Sequence, residues 1–315
     1  MIKFIKPKFW DKKKISLISI VLIPVSLITL LIIFLKKRLT KITSFKIPII
    51  CVGNIYIGGT GKTPVSILIA KELNKLGLQP VLLRKYYRSH NDEFEQIKNS
   101  FKNLIINKKR SDGIIEAEKE GYDTVILDDG LQDYQIKKDL KIACFHNNQL
   151  IGNGLVIPSG PLRETLSTLK NVDVVLINGK KNSVFEKKIL SYNNNLEIYY
   201  FYYDPININD FRNQRLLALA AIGNPENFFK LLDENNLQVD EHVIFPDHYE
   251  FSKKEIEKIC FRAKKRGCNI ITTEKDYFKI KKYNLNEIRY LKMSIEIMEK
   301  NKLINRIKKL YDKDI

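Results

Sequence analysis

Residues 46–77 read KIPIICVGNIYIGGTGKTPVSILIAKELNKLG, and this stretch decides the fold. Lys46 to Gly53 is short, apolar and β-branched, the composition of a buried strand. Val65, Ile69, Leu73 and Leu76 recur at helical spacing, and Gly77 ends the pattern. Between strand and helix lie Tyr56, Ile57, Gly58, Gly59, Thr60, Gly61, Lys62 and Thr63, in the context of a phosphate-binding loop. Glycines let backbone amides close around phosphate oxygens, and the helix N-terminus adds the positive end of its dipole. These eight residues are the candidate nucleotide-binding set. Lys62 would neutralise the β- and γ-phosphates of ATP, and the Thr63 hydroxyl would ligate Mg²⁺. The strict loop pattern has Gly where this chain has Tyr56.

Tyr122 to Leu127 reads as a second buried strand, ended by Asp128-Asp129-Gly130. Carboxylates at the C-terminal end of a parallel strand face the ligand crevice, so Asp128 and Asp129 join Thr63 as candidate Mg²⁺ ligands. Further strands are expected at 47–53, 80–84, 124–128, 141–145 and 173–177, alternating with helices. The fold class is therefore α/β: a doubly wound, mostly parallel P-loop sheet. Residues 196–203 are aromatic and strand-like. A second, smaller α/β unit starts near Arg215 and includes a helix at 252–266. The expected boundaries are 1–39 for an N-terminal membrane anchor, 40–195 for the P-loop kinase domain and 196–315 for the second domain. Leu303, Ile307, Leu310 and Tyr311 mark one face of a terminal helix.

Ile15 to Leu35 contains 21 residues and no charge. As one helix it would reach ~30 Å, the thickness of a bilayer's hydrocarbon core. That length predicts an N-terminal membrane helix, while Lys12-Lys13-Lys14 before it and Lys36-Lys37-Arg38 after it leave its orientation open. Pro24 would permit a kink. The net charge of +18 suits anionic partners, but the chain carries no nucleic-acid recognition module, so nucleic acid is not an expected partner. The cysteines at 51, 144, 260 and 268 form no C-x-x-C pair, which argues against a zinc site or disulfide framework.

An N-terminal apolar segment, then VGN-x-x-x-GGTGKTP, then DDG-x-Q at a strand end, resembles the tetraacyldisaccharide 4'-kinases (lipid A 4'-kinases). Gly152-Asn153-Gly154, the 158–164 stretch PSGPLRE, Ala221 to Pro225, Phe245-Pro246-Asp247-His248 and Thr272 to Asp276 resemble further motifs of that family, in its order. Departures are Asp133 where the family has His, and Lys85 and Tyr87 where it has Gly.

The resemblance implies transfer of the γ-phosphate of ATP to the 4'-hydroxyl of tetraacyldisaccharide 1-phosphate, at the cytoplasmic face of the inner membrane. Implied cofactors are ATP and Mg²⁺, and implied partners are the acylated disaccharide lipid and inner-membrane lipids. It also implies that Asp92, in a loop of the first domain, pairs with His248 of the second as proton acceptor. Arg110 would stabilise charge near the phosphates, with Lys62, and Arg163 marks a further family position. The competing reading is a membrane-bound P-loop ATPase switch or partitioning protein, which needs no lipid acceptor.

Overall fold

A computed structural model describes residues 6–11, 14–87, 91–246 and 249–311, with backbone alone at 91–93 and 96. In chain order the elements are α1 (Leu17–Val21), α2 (Ile23–Leu39), β1 (Ile49–Gly53), α3 (Lys62–Lys75), β2 (Pro80–Lys85), α4 (Asn91–Ser100), β3 (Leu104–Asn107) and α5 (Arg110–Lys119). There follow β4 (Thr124–Asp128), β5 (Leu140–His146), β6 (Val174–Asn178), α6 (Ser183–Leu190), β7 (Glu197–Pro205), β8 (Arg215–Ala220), α7 (Pro225–Glu234) and β9 (Gln238–Ile244). The chain ends with α8 (Lys253–Lys265), β10 (Asn269–Thr273), α9 (Glu274–Ile280), β11 (Ile288–Leu291), β12 (Met293–Ile297) and α10 (Lys300–Lys308).

Every residue of β1, β4 and β6 is buried, so these apolar runs need cover on both faces. They lie inside an eight-stranded sheet of order β12-β7-β6-β5-β1-β4-β2-β3, in which the pairs from β7 through β3 are parallel. Parallel pairing demands crossovers, which helices supply for most pairs, while the chain from β5 to β6 crosses by a long loop with one 3-10 turn at Leu166–Asn171. A second sheet, β11-β10-β8-β9, is parallel throughout. The expected α/β architecture with a mostly parallel sheet is thus present. Two compact units contain it: residues 1–86, 103–202 and 296–315 form one, and residues 87–102 with 203–295 the other.

Two segments fall away from the expected boundaries. Helix α4 groups with the second unit, where it packs against α9. Its buried residues Phe94 and Ile97, with Phe101 just beyond, repeat at helical spacing. Helix α10 returns to the first unit, where Lys300 pairs with Glu72, Arg306 with Glu197, and Tyr311 OH meets Thr124 Oγ1 at 2.7 Å. Leu76 is exposed rather than part of the buried face of α3.

The N-terminal apolar run does not form one long helix. Among the described residues no helix is long and apolar enough to cross a membrane, so the expected membrane helix gains no support. Pro24 has no amide to continue the ladder of α1, and the hydrogen bonding restarts at Leu22, whose carbonyl accepts from Val25 and Ser26. The run's serines face inward. Ser26 Oγ lies 2.8 Å from both Val156 O and Ser159 Oγ, and Asn153 donates to Ser19 Oγ at 3.1 Å. Leu17, Val21, Leu27, Ile28, Leu31 and Phe34 are each more than half exposed. Lys37 in the last turn of α2 holds the buried Glu164.

Candidate active site

The phosphate loop begins where β1 stops. Asn54 is fully buried, and its Nδ2 donates to Gly58 O at 3.1 Å and to Thr60 Oγ1 at 3.0 Å, which ties the loop together from inside. Gly58 (φ 124) and Gly61 (φ 88) take left-handed backbone that a side chain resists. Gly58 and Gly59 are left as the exposed crest of the loop. Lys62 opens α3, and its Nζ sits 3.4 Å from Gly58 O and 4.0 Å from Asp129 Oδ1, across the mouth of the loop. Tyr56 behaves differently from its neighbours: its ring is fully buried and its hydroxyl donates to Asp11, away from the loop crest.

Strand β4 lies beside β1 and ends at the same level, with Val52 opposite Asp128. Thr63 Oγ1 donates to Asp128 Oδ2 at 2.8 Å, Ser66 Oγ lies 3.4 Å from Oδ1, and Arg84 Nη1 stands 3.3 Å from Oδ2. Burial nevertheless dominates and pushes the Asp128 carboxyl above the usual aspartate range, with Asp129 adding to it against Arg84 and Lys62. The next carboxylate goes the other way. Burial raises Asp129 too, but Lys62, Arg163 and Arg110 together outweigh it and hold Asp129 below the usual range. Arg163 Nη1 donates to Asp129 Oδ1 at 2.8 Å and to Gln132 Oε1 at 3.2 Å, while Gln132 Nε2 donates back to Asn54 O. Asp129 has φ 58, unusual for a residue with a side chain.

Arg110 supports this turn from beneath. It is 8% exposed, and its Nη2 donates to the carbonyls of Asp128 at 3.2 Å and Asp129 at 2.8 Å. Its Nη1 reaches Asp133 at 3.5 Å. The guanidinium therefore holds backbone and a carboxylate, where the sequence suggested contact with phosphate. Asp133, in the place of the family's His, is its ionic partner.

Among the described residues no group of three or more His, Cys, Asp or Glu is placed to cage a metal ion. Thr63 Oγ1, Asp128 and Asp129 offer a small set of hard oxygens. Such a set suits a cation that takes one or two protein ligands and fills its sphere with phosphate oxygens and water.

Comparison with known proteins gives this geometry a family. The family model for tetraacyldisaccharide-1-P 4'-kinase matches residues 18–312. The tetraacyldisaccharide 4'-kinase of Pelagibacter ubique is 43% identical over 99% of this chain and 100% of its own length. The chain belongs to the tetraacyldisaccharide 4'-kinase family. Its relative of the same name in Francisella tularensis subsp. novicida is 30% identical over 92% of the chain, and that of Rickettsia bellii 32% identical over 89%. The crystal structure of LpxK from Aquifex aeolicus in complex with ATP shares the fold, with a TM-score of 0.74 and 21% identity over 93% of this chain. Membership bears out the kinase reading of the sequence and leaves the ATPase switch without ground.

The structure brings together Gly58 to Thr63, Asp128 and Asp129. The backbone of Asp92 lies in helix α4, within the second unit, rather than in a loop of the first. The Asp92 side chain and all of His248 lie outside the described residues. Sequence reasoning missed Arg84, Asn54 and Gln132. Arg84 is the first charged residue after the apolar run of β2, a strand-end position like those of Asp128 and Asp129, and that signal was available.

Proposed function

We propose that this kinase transfers the γ-phosphate of ATP to the 4'-hydroxyl of tetraacyldisaccharide 1-phosphate. The observation that carries the reading is the Thr63–Asp128 contact beneath a formed phosphate loop, in a chain of this family. Backbone amides of Gly58 to Thr63 bind the phosphates, and Lys62 neutralises their charge as it redistributes. Thr63, Asp128 and Asp129 are the residues that would hold Mg²⁺, which when bound supplies positive charge to the transferred group. Arg163 and Arg84 keep these carboxylates oriented.

Asp92 and His248 are the proton-accepting pair of this reading. Asp92 belongs to a segment of the second unit, 87–102. Groups that accept a proton together lose their effect together. Asp92→Ala and His248→Ala should each lower kcat by roughly 10²–10⁴-fold, the usual scale for general base catalysis. The double variant should be scarcely slower than the worse single one, and fully multiplicative losses would sink the pairing.

A lipid acceptor with several acyl chains stays in its bilayer, so the enzyme must meet it there. The exposed apolar residues of α1 and α2, followed by Lys36 and Arg38, suit docking onto the anionic inner membrane from the cytoplasm. The whole reading is tested by incubating the full chain with γ-labelled ATP, Mg²⁺ and the disaccharide in mixed micelles. A phosphorylated lipid is the expected product; ATP hydrolysis without lipid phosphorylation overturns the assignment.

A further inference from the structure

We infer that Lys6, Asp11 and Tyr56 form a latch that seats the N-terminal segment against the phosphate loop and sets the loop's readiness for ATP. The inference rests on the phosphate-loop reading above, and these three are positioning residues that do not touch the nucleotide.

Tyr56 stands at the loop position where the strict pattern has Gly, so its ring needs a home away from the phosphates. It finds one: the ring is fully buried, and the hydroxyl donates to Asp11 Oδ1 at 2.5 Å while accepting from Lys6 Nζ at 3.1 Å. Lys6 and Asp11 close the triangle with a 2.7 Å ion pair. That pair is partly exposed and by itself worth little. The hydroxyl–carboxylate bond, made from a buried ring, is the stronger member.

The backbone of residues 55–57 is clamped from another side. Arg163 N donates to Ile55 O at 2.7 Å, Tyr56 bridges Leu162, and Ile57 N donates to Pro161 O at 2.8 Å. The N-terminal segment is fastened to the stretch just before that clamp. Trp10 Nε1 donates to Pro158 O at 2.9 Å, and Asn153 N donates to Trp10 O at 2.8 Å. Side chain and backbone of residues 55–57 are thus fixed by neighbours that are fixed to one another. Directly after them comes Gly58, whose carbonyl takes Asn54 Nδ2 and Lys62 Nζ. A Tyr56 ring released from Asp11 loosens the loop at the root of its crest, and the cost of re-forming it is charged to ATP binding.

The test measures ATP affinity by calorimetry and initial rates on the full chain, for the parent, Tyr56→Phe, Asp11→Ala, their double variant and Asp11→Asn, with Lys62→Ala alongside. Each single latch variant should weaken ATP binding by about tenfold, the scale of one hydrogen bond to a charged group. In Asp11→Ala and Asp11→Asn, kcat at saturating ATP and KM for the lipid should stay within about twofold of the parent, a split that general loosening of the fold would not give. The double variant should be no weaker than the worse single one. Asp11→Asn keeps an acceptor oxygen and should retain most of the affinity. Tyr56→Phe and Asp11→Ala both within about twofold of the parent, or losses that multiply in the double variant, overturn the latch while the loop reading stands. A parent that binds no ATP, or a Lys62→Ala protein that binds it equally well, overturns both.

Discussion

Thr63 Oγ1 and Asp128 Oδ2 meet at 2.8 Å, so the first turn of α3 and the end of β4 share one carboxylate oxygen. On the proposed Mg²⁺ reading a cation would compete with the hydroxyl for that oxygen, and the contact would orient both groups as ligands. Thr63→Ala should therefore raise the Mg²⁺ concentration for half-maximal rate by about tenfold, the usual lower scale for losing a group that orients a metal site. Thr63→Ser keeps the hydroxyl and should stay near the parent. A magnesium titration of initial rates at fixed ATP decides it, and an unchanged midpoint in Thr63→Ala removes Thr63 from the metal's ligands.

Asp128 and Asp129 are sequence neighbours with opposite shifts, which gives opposite signs to their effect on stability. Burial lifts Asp128 above the usual range. Its ionisation therefore weakens the fold as pH rises from the unfolded value of about 3.9 through the raised one. Asp129 is held low by Lys62 and Arg163 against its burial. Its ionised form adds stability that is present above about 3.9 and is lost as pH falls through the lowered value. In magnesium-free buffer, Tm of Asp128→Asn minus that of the parent should grow as pH rises from about 4 to 7. The same difference for Asp129→Asn should be flat over that window and change only at more acidic pH. Parallel curves for the two variants would contradict the account.

Arg110 holds the turn at Asp129, donating to the carbonyls of Asp128 and Asp129. Arg110→Ala leaves the buried Asp128 carbonyl, the partly buried Asp129 carbonyl and the Asp133 carboxylate without this partner, which should cost about 2–4 kcal/mol in urea unfolding. Arg110→Lys should recover only part of it, because one ammonium lacks the fork that spans both carbonyls. An arginine facing only the phosphates would instead lower kcat and leave the unfolding midpoint unchanged.

How much of this could be read from the chain depended on whether a residue's role is local. The phosphate loop was legible because strand, glycines, Lys62 and Thr63 are contiguous and their chemistry follows from adjacency. The Asp128-Asp129 turn was legible as a strand end. Arg84 stood at a strand end as well, but its partner Asp128, like the contact of Gln132 with Asn54 O, is set by strand order, and nothing in the sequence says that β4 lies between β1 and β2. Residue 92 was misplaced for another reason. Phe94, Ile97 and Phe101 carry a helical period that was in view, but the segment was read through its family motif as a loop. The serines of the apolar run went unweighed, since a count of charges cannot distinguish a lipid-facing run from one that turns its few hydroxyls inward.

Those serines divide the N-terminal helices into two faces with separable jobs. Ser26 Oγ accepts from Ser159 N at 3.0 Å besides its contacts with Val156 O and Ser159 Oγ, so it is part of the fold. Replacing it by Leu forces a larger apolar group against buried backbone and should destabilise the protein by about 1–3 kcal/mol. Leu31 and Phe34 lie on the outer face and are more than half exposed. Changing both to Asp removes no internal contact of consequence, and unfolding should shift by no more than about 0.5 kcal/mol per site. The same change places two charges where the proposed membrane contact is made, and co-sedimentation with phosphatidylglycerol-rich vesicles in high salt should fall to a small fraction of the parent's. Ser26→Leu should show the reverse pattern, a weakened fold with its outer face still apolar. A Leu31→Asp/Phe34→Asp protein that sediments with vesicles as the parent does would rule out this face as the docking surface. One that loses stability as Ser26→Leu does would show instead that the face is packed against the chain itself.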